Sequence, residues 1–395
     1  MTKIAMIGVG AISGIYLHNL TELFREVEIA GICDLIPERA EKGLAFIREQ
    51  QAKGVKCPLP KIYKDMGEAF CDPEVTLILN LTRPYEHYEV TKAALLHGKH
   101  VYTEKPIAVD MEEAAELTAL AAEKGLLIGG APDTFLGAGV QTARKMIDRG
   151  MIGDIVGANC AMICHGHETW HPDPEFYYKR GGGPMLDMGP YYVSALCNLL
   201  GEAKGVMGMT KKSFGTRLIT SAPHFGEVVD VDVDTHLTGC IEFSSGAIVQ
   251  IITTFDVFYG GQARFEVYGT EGTIVVPDPN TFGGPVLIFR PEDVEKQRID
   301  PGLLKPEEIS PYRGYRQVPL MFGYRDNSRG LGLADMCKAI ETGRAYRANS
   351  SLQSHVLEIL TSFSKSSKER RYIELKTKYT RGEPMKNLAM PGVLD

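Results

Sequence analysis

Ile7-Gly8-Val9-Gly10-Ala11-Ile12-Ser13-Gly14 follows the apolar run Ile4–Ile7 and opens a helical pattern over Ile15–Phe24. A strand, a glycine turn and a helix in that order form a site for an anionic ligand. Gly8 permits the tight turn, and Gly10 lets the backbone approach a pyrophosphate at the helix N-terminus. Ser13 takes the third position of the fingerprint, where glycine or alanine is usual, and Gly14 follows it. The next apolar run, Val27–Cys33, ends beside Asp34, about twenty residues beyond the turn. A carboxylate there accepts hydrogen bonds from ribose hydroxyls and repels a 2′-phosphate, which favours NAD over NADP. Arg39, in the following turn, keeps NADP open, and Asp34 also reads as a cap for the helix beginning near Pro37.

Outward from this turn the pattern repeats. Strand-like runs at Val75–Leu81, His100–Thr103 and Leu126–Gly129 alternate with helical patterns at Pro37–Glu49, His87–His97 and Met111–Lys124. Such alternation indicates βαβ units, and right-handed crossovers make them a doubly wound parallel sheet. Past residue 130 the rhythm changes. One more helix, Gln141–Arg149, precedes strand-like stretches at Ile155–Cys164, Gly205–Lys211, Asp234–Phe243, Ala247–Phe258, Arg264–Gly269 and Thr273–Val276. Turn residues at Glu242–Gly246 and Gly269–Gly272 predict an antiparallel meander. Residues 290–329 read as a long excursion, and Leu331–Thr342 and Leu352–Lys365 as closing helices.

Composition narrows the partners. The chain has 395 residues, 44% hydrophobic and 24% charged, the balance of a globular protein of about two domains. Lys plus Arg is 43 against 50 for Asp plus Glu, a net charge of -7, so the field that holds nucleic acid is missing. No apolar run approaches the ~20 residues of a membrane helix, and no signal-peptide core is expected. Eight irregularly spaced cysteines read as reduced thiols of a cytoplasmic protein.

Two strand ends carry unusual residues, Asn80-Leu81-Thr82-Arg83-Pro84 and Tyr102-Thr103-Glu104-Lys105-Pro106. Together with the glycine turn, Cys33-Asp34, Pro37-Glu38-Arg39, His87 and the block Gly98-Lys99-His100-Val101-Tyr102-Thr103-Glu104-Lys105-Pro106, the chain resembles the Gfo/Idh/MocA oxidoreductases. The resemblance covers residues 1–150 and includes glucose–fructose oxidoreductase and inositol 2-dehydrogenase. It implies an α/β fold: an N-terminal Rossmann domain, residues 1–130, and a C-terminal α+β domain, residues 131–395. The second would carry a large, mostly antiparallel open sheet for substrate and oligomerisation, making a homodimer or homotetramer. Gly8, Gly10, Ala11, Ile12, Asp34, Arg39, Asn80, Leu81, Thr82, Pro84, His87, Glu104 and Lys105 are assigned to the cofactor. Lys105 corresponds to the lysine that hydrogen-bonds the reacting oxygen beside the nicotinamide, and Pro106 to a proline that often has a cis peptide.

Lys105 has a physical rationale of its own. A cation at a parallel-strand terminus favours the alkoxide character that develops as hydride leaves a carbinol. Partial burial is expected to bring its pKa towards neutrality. The alternative is a surface lysine paired with Glu104. The second constellation is Gly181-Gly182-Gly183-Pro184-Met185-Leu186-Asp187-Met188-Gly189-Pro190-Tyr191-Tyr192. In the resembled family a glycine run precedes Asp-x-x-x-His on one helix; Asp187 matches the aspartate, and Tyr191 stands where the histidine would be. Acid–base work by Tyr191 requires a lowered pKa, which Lys105 is expected to supply. The alternative is that Tyr191 packs against the cofactor while Lys105 acts through Asp187 or water.

His165-Gly166-His167-Glu168-Thr169-Trp170-His171 is dense in imidazole. Strand parity would put Cys160 and Cys164 on one face and His165 and His167 on the other, which argues against one metal cage. A carbohydrate pocket fits better, with Trp170 as a flat apolar surface and His165, His167, His171, Glu168 and Tyr177 facing hydroxyls; an interface or loop cluster is the alternative. Asp230-Val231-Asp232-Val233-Asp234-Thr235-His236 has the period of a half-exposed strand. Arg329 precedes a late helix and is a candidate for substrate contact.

These features predict an NAD(P)-dependent oxidoreductase acting on a secondary hydroxyl or ketone of a sugar, glycoside or cyclitol, a small neutral polyol. Two other readings stay open: an NAD-assisted glycosidase using transient sugar oxidation, and a non-catalytic dinucleotide-binding sensor.

Overall fold

A computed structural model describes residues 1–258, 264–297, 312–386 and 394. The first sheet contains β1 (Thr2–Ile7), β2 (Val27–Cys33), β3 (Lys61–Ile62), β4 (Leu77–Asn80), β5 (His100–Thr103) and β6 (Ile128–Gly130). Its order is β3-β2-β1-β4-β5-β6, and every pairing is parallel. The crossovers are α1 (Ser13–Glu22), α2 (Pro37–Ala52), α3 (Met66–Cys71), α4 (His87–Leu96) and α5 (Met111–Lys124). The strand order reverses between β1 and β4, so the ligand crevice opens above their carboxyl ends. The sequence pattern did not mark β3 or α3. A two-residue strand has no periodicity to read, and α3 relies on Asp65, whose side chain accepts the Glu68 N–H, for its start.

Helix α6 (Ala138–Asp148) leads into a larger sheet, joined by α7 (Pro184–Asp187) and α8 (Gly189–Leu200). Its principal strands are β7 (Ile155–Ile163), β8 (Ala203–Lys211), β11 (His236–Phe243), β12 (Ile248–Thr254), β13 (Arg264–Gly269) and β14 (Gly272–Val275). It is completed by β15 (Val286–Phe289) and by the edge strands β16 (Arg316–Val318) and β17 (Ile373–Glu374), while β9 (Thr216–Leu218) and β10 (Val228–Asp230) form a separate hairpin. The order is β16-β15-β14-β13-β7-β12-β11-β8-β17, antiparallel except for the β7–β12 pair. Helices α9 (Leu331–Thr342) and α10 (Ser350–Glu369) close the chain.

One apolar core runs from β1 and β4 through α8 into β12 and β13. Gly208 of β8 lies against α10, where a Cβ would sit 2.7 Å from the Phe363 ring. Helix α10 and the residues just before it also reach back to the first sheet: Gln353 donates to the Gly130 carbonyl at 2.8 Å, and Gly130 N–H to Ala348 O at 3.0 Å.

Three expectations change. The run Asp230–His236 is not one strand: Asp230 ends β10, Val231 N–H donates to Gly215 O and Asp232 N–H to Tyr178 O, and regular pairing resumes only at His236. Strand β7 ends at Ile163, so His165 and His167 lie beyond it and the parity argument does not govern them. Asp187 and Tyr191 do not share one continuous helix, since α7 ends at Asp187 and α8 begins at Gly189. Within 290–329 the described part contains a 3-10 turn, Pro291–Gln297, and β16; residues 298–311 of that excursion lie outside the described residues.

Candidate active site

The glycine turn lies at the reversal point of the first sheet. Gly8 has φ +95, a conformation costly for any residue with a side chain, and a Cβ there would lie 2.8 Å from Leu81 O. Leu81 is thus fixed as the floor beneath the turn. Above Gly10 the space is open to 4 Å, and Ala11 is exposed beside half-buried Ile12. The Ser13 hydroxyl donates to Gly10 O at 2.7 Å, and α1 has no acidic residue in its first turn to repel a phosphate. Asp34 accepts the Val9 N–H at 2.6 Å and the Ile36 N–H at 2.8 Å, so the carboxylate is pinned to the glycine turn. Leu35 beside it is 91% exposed and would offer an apolar surface to a nucleotide base, and Arg39 is exposed in α2. An open backbone cradle, a helix N-terminus and a positioned carboxylate fit a dinucleotide.

The next strand ends divide into contact and support. Asn80 is fully buried and satisfied: its carbonyl accepts the Thr82 hydroxyl at 2.7 Å and the Thr82 N–H at 3.2 Å, and its amide donates to His87 O and Thr91 Oγ1. His87 lies between Pro106 O at 2.7 Å and Thr82 O at 3.1 Å, and burial lowers its pKa. Both residues therefore set the shape of the Thr82–Pro84 loop from below. Glu104 accepts the Tyr16 hydroxyl at 2.8 Å and the Lys105 N–H at 3.1 Å, a tie that the sequence reading missed because Tyr16 looks like one more apolar position of α1. The Lys105–Pro106 peptide is cis.

Lys105 does not pair with Glu104. Its ammonium donates to Asp187 Oδ1 and to Asp187 O, both at 2.6 Å. Burial works against that charge, but Asp187, Tyr191 and Glu104 outweigh it and hold the lysine above its ordinary value. The expected shift towards neutrality is therefore reversed. Asp187 shows the complementary result: burial would raise its pKa, yet the Lys105 charge and His167 bring it down to about 2. Gly183, at φ +84, turns the chain into α7, and a Cβ there would meet Asp234 O at 2.9 Å. The other Asp187 oxygen is 3.0 Å from His167 Nε2. An ionised carboxylate only accepts, so Nε2 carries the hydrogen.

Tyr191 is 7% exposed, with the Lys105 Nζ 5.3 Å and the Arg329 guanidinium 5.9 Å from its ring centre. Burial nevertheless raises its pKa against the pull of both cations, so the lowered value expected from Lys105 is not what this environment produces. Arg329, which the sequence singled out only for substrate contact, lies over this ring and donates to Asn280 Oδ1 at 2.6 Å. Tyr192 belongs to the core.

The segment from His165 to Tyr178 separates into two clusters. His167, His171, Trp170 and Tyr177 are neighbours: the His167 ring is 4.4 Å from Tyr177 and 5.2 Å from Trp170, and His171 is 5.2 Å from Tyr177. Trp170 is 61% exposed, as a platform for a ligand would be. His165 instead stacks on Phe258 at 3.7 Å and faces Arg217 at 3.2 Å. Glu168 is buried on Arg217 at 3.1 Å and takes the Tyr178 hydroxyl, so it is not free for substrate. Arg217 gave no sequence signal, being a lone arginine in a short strand. Among the described residues no group of three or more His, Cys, Asp or Glu side chains is arranged to hold a metal ion.

Two family models match this chain: an oxidoreductase family with an NAD-binding Rossmann fold over residues 2–130, and a GFO/IDH/MocA C-terminal domain over residues 140–275. An inositol 2-dehydrogenase/D-chiro-inositol 3-dehydrogenase of Lactiplantibacillus plantarum is 31% identical over 155 residues, 39% of this chain and 41% of that protein. A 1,5-anhydro-D-fructose reductase of Ensifer adhaerens is 26% identical over 326 residues, 80% of this chain and 90% of that one. Among solved structures, a levoglucosan dehydrogenase in complex with NADH shares the fold at TM-score 0.74 and 19% identity, covering 95% of this chain and 99% of the other. An NAD-binding oxidoreductase from Klebsiella pneumoniae does so at TM-score 0.74 and 20% identity, with coverage of 95% and 99%. With a matching model over each part of the fold, the chain belongs to the Gfo/Idh/MocA family of NAD-binding oxidoreductases.

Proposed function

We propose that this oxidoreductase moves a hydride between a nicotinamide and a secondary hydroxyl or ketone of a sugar, glycoside or cyclitol. The observation that carries the reading is the Lys105 ammonium at the end of β5, held 2.6 Å from Asp187 beneath the Tyr191 ring. NAD, when bound, supplies the two-electron acceptor or donor. The carbinol oxygen gains negative charge as hydride leaves its carbon, and the Lys105 N–H groups stabilise that charge where water is largely excluded. Tyr191, kept as a phenol and steadied by Arg329, donates its hydrogen to the same oxygen when a ketone is reduced. Trp170, Tyr177, His167 and His171 form the sugar side, and His165 supports it from the Arg217 cluster.

Three further parts belong to the proposal. Residues 1–130 serve the cofactor, and 131–395 the substrate and assembly. A cytoplasmic location is supported by cysteines held as free thiols. A homodimer or homotetramer is supported by the face of the large sheet turned away from α10, where Met207, Met209 and Ile248 are 56%, 74% and 59% exposed. Light scattering on the purified chain is expected to give twice or four times the monomer mass; a monomer at micromolar concentration would remove the assembly part.

The chemistry is tested with Lys105→Ala and Tyr191→Phe on a substrate found by screening sugars, glycosides and inositols for NAD reduction. Lys105→Ala is expected to lower kcat by roughly 10²–10⁴-fold and Tyr191→Phe by about tenfold or more, with nucleotide still bound. Near-normal turnover in both variants would refute the mechanism.

A further inference from the structure

Two cations stand against the Tyr191 ring, and they are not equally served. Lys105 has its counter-ion in Asp187 at 2.6 Å. Arg329 is half-buried and, among the described residues, no carboxylate lies within ion-pair distance of its guanidinium. Its hydrogen bonds go to neutral acceptors: Asn280 Oδ1 at 2.6 Å, Asn280 O at 3.3 Å and Asn327 Oδ1 at 2.8 Å. A guanidinium carries five N–H groups, so these bonds leave others for a further partner. Charges drawn out of water are ordinarily paired, so an arginine in this position lacks an anion. The carboxylates that act on it from further away, Asp133 and Glu104, are already engaged. Asp133 accepts the Gly330 and Gly332 N–H groups at 2.8 and 3.0 Å, and Glu104 accepts the Tyr16 hydroxyl and the Lys105 N–H.

The arginine is also held in place. The Asn19 amide of α1 donates to Asn327 O at 2.9 Å and to Arg329 O at 2.8 Å, which fixes the backbone before α9. From there the side chain reaches the Tyr191 ring, with its guanidinium 5.9 Å from the ring centre, while Lys105 Nζ is 5.3 Å from the same centre. A single aromatic ring therefore lies between the cation that meets the reacting oxygen and the cation without a counter-ion. The phosphates of a dinucleotide have their own place at the glycine turn, where the space above Gly10 is open.

We propose that Arg329 is a specificity-determining residue that binds a carboxylate, and that the substrate is a sugar acid, a uronate or an aldonate. Its carboxylate would lie about one sugar ring from the carbinol at Lys105. The proposal rests on the reading of Lys105 given above. A carboxylate placed beside Arg329 gains a charge-assisted hydrogen bond from a guanidinium that is already oriented, so little ordering is needed. A neutral sugar brings only a hydroxyl to that point and leaves the cation unpaired, so the site selects by charge.

Matched sugar pairs test this: D-glucuronate with D-glucose, D-galacturonate with D-galactose, and D-gluconate with D-glucitol. Each is titrated into the NADH complex of wild type, Arg329→Lys and Arg329→Met, followed by cofactor fluorescence, and each is assayed for NAD reduction. The wild type is expected to bind at least one acid roughly 10–100-fold more tightly than its neutral twin. Arg329→Met is expected to abolish that preference, and Arg329→Lys, which keeps the charge, to retain part of it. The readout is the acid-to-neutral ratio, which a general loss of activity through Tyr191 does not imitate. Thermal melting checks each fold, and Arg329→Gln replaces Arg329→Met if the latter melts early. Neutral twins bound as tightly as every acid, or a preference that survives loss of the arginine, overturns the proposal. Weaker NADH binding in Arg329→Met with an unchanged sugar ratio would assign the arginine to the cofactor and overturn it as well. Lys105→Ala is expected to keep the acid preference while losing turnover. Normal turnover in that variant would refute the underlying reading of the reaction and leave the binding result standing.

Discussion

His165 and His167 are separated only by Gly166, yet they join two different buried ion clusters. His167 meets the Asp187 carboxylate, whose other partner is Lys105. His165 meets Arg217, which is 4% exposed and also holds Glu168 and Asp256, each at 3.1 Å. In the second cluster Tyr178 donates to Glu168, Thr235 to Asp256 at 2.8 Å, and the guanidinium also reaches Phe255 O, while Arg217 Nε and His165 Nδ1 are left without a hydrogen-bond partner. An arginine keeps its proton at any working pH, so this group cannot pass charge. It fastens the loop to the β9–β10 hairpin and to the end of β12. The first cluster holds one carboxylate between a lysine and an imidazole, at 2.6 and 3.0 Å. One cluster anchors the loop and the other is the one we propose for the chemistry, and the difference lies in the choice of cation.

Removing the anchor is expected to have the largest effect on stability. Arg217→Met leaves Glu168 and Asp256 buried without their cation and is expected to cost about 3–5 kcal/mol in denaturant unfolding. If it cost under about 1 kcal/mol and altered the pH profile of turnover instead, the division between anchor and chemistry would fail. The acid limb gives a smaller, sharper contrast. Asp187 is held at about 2, below its unfolded value, so it contributes stability above about pH 4. That contribution is lost as pH falls from about 4 through 2, as the folded state takes up the proton. Asp187→Asn is expected to flatten this part of the stability curve, measured by unfolding at a series of acid pH values. A curve that kept its full slope would mean that the carboxylate is not committed to Lys105 and His167 in the folded chain.

The two halves of the site were not equally legible. Gly8, Asp34 and Lys105 follow strand ends in a fixed order, and the bounds of β2, β5 and α5 fall where the apolar pattern put them. Local chain geometry dictates those positions, so local sequence reports them. Lys105, Asp187 and Tyr191 could be named from motifs, but the directions of their pKa values could not. Those depend on burial and on Arg329, which reaches Tyr191 from a segment before α9. Glu168 looked like a sugar ligand because its neighbours did; only the tertiary position of Arg217 shows it to be occupied. The valine–aspartate run failed for the same reason: Asp232 N–H finds Tyr178 O in place of a neighbouring strand.

The contacts from Ala348 and Gln353 to β6 bear on how the chain is made. Strand β6 is the edge of the first sheet, and an open edge invites pairing with whatever chain is near. Its cover comes from residues far later in the chain: Gly130 N–H meets Ala348 O, Gln353 meets Gly130 O, and the Tyr346 hydroxyl meets Ile128 O at 2.7 Å. The nucleotide-binding half therefore waits with one flank open while more than two hundred further residues are translated. The first sheet is thus closed by residues made well after its own.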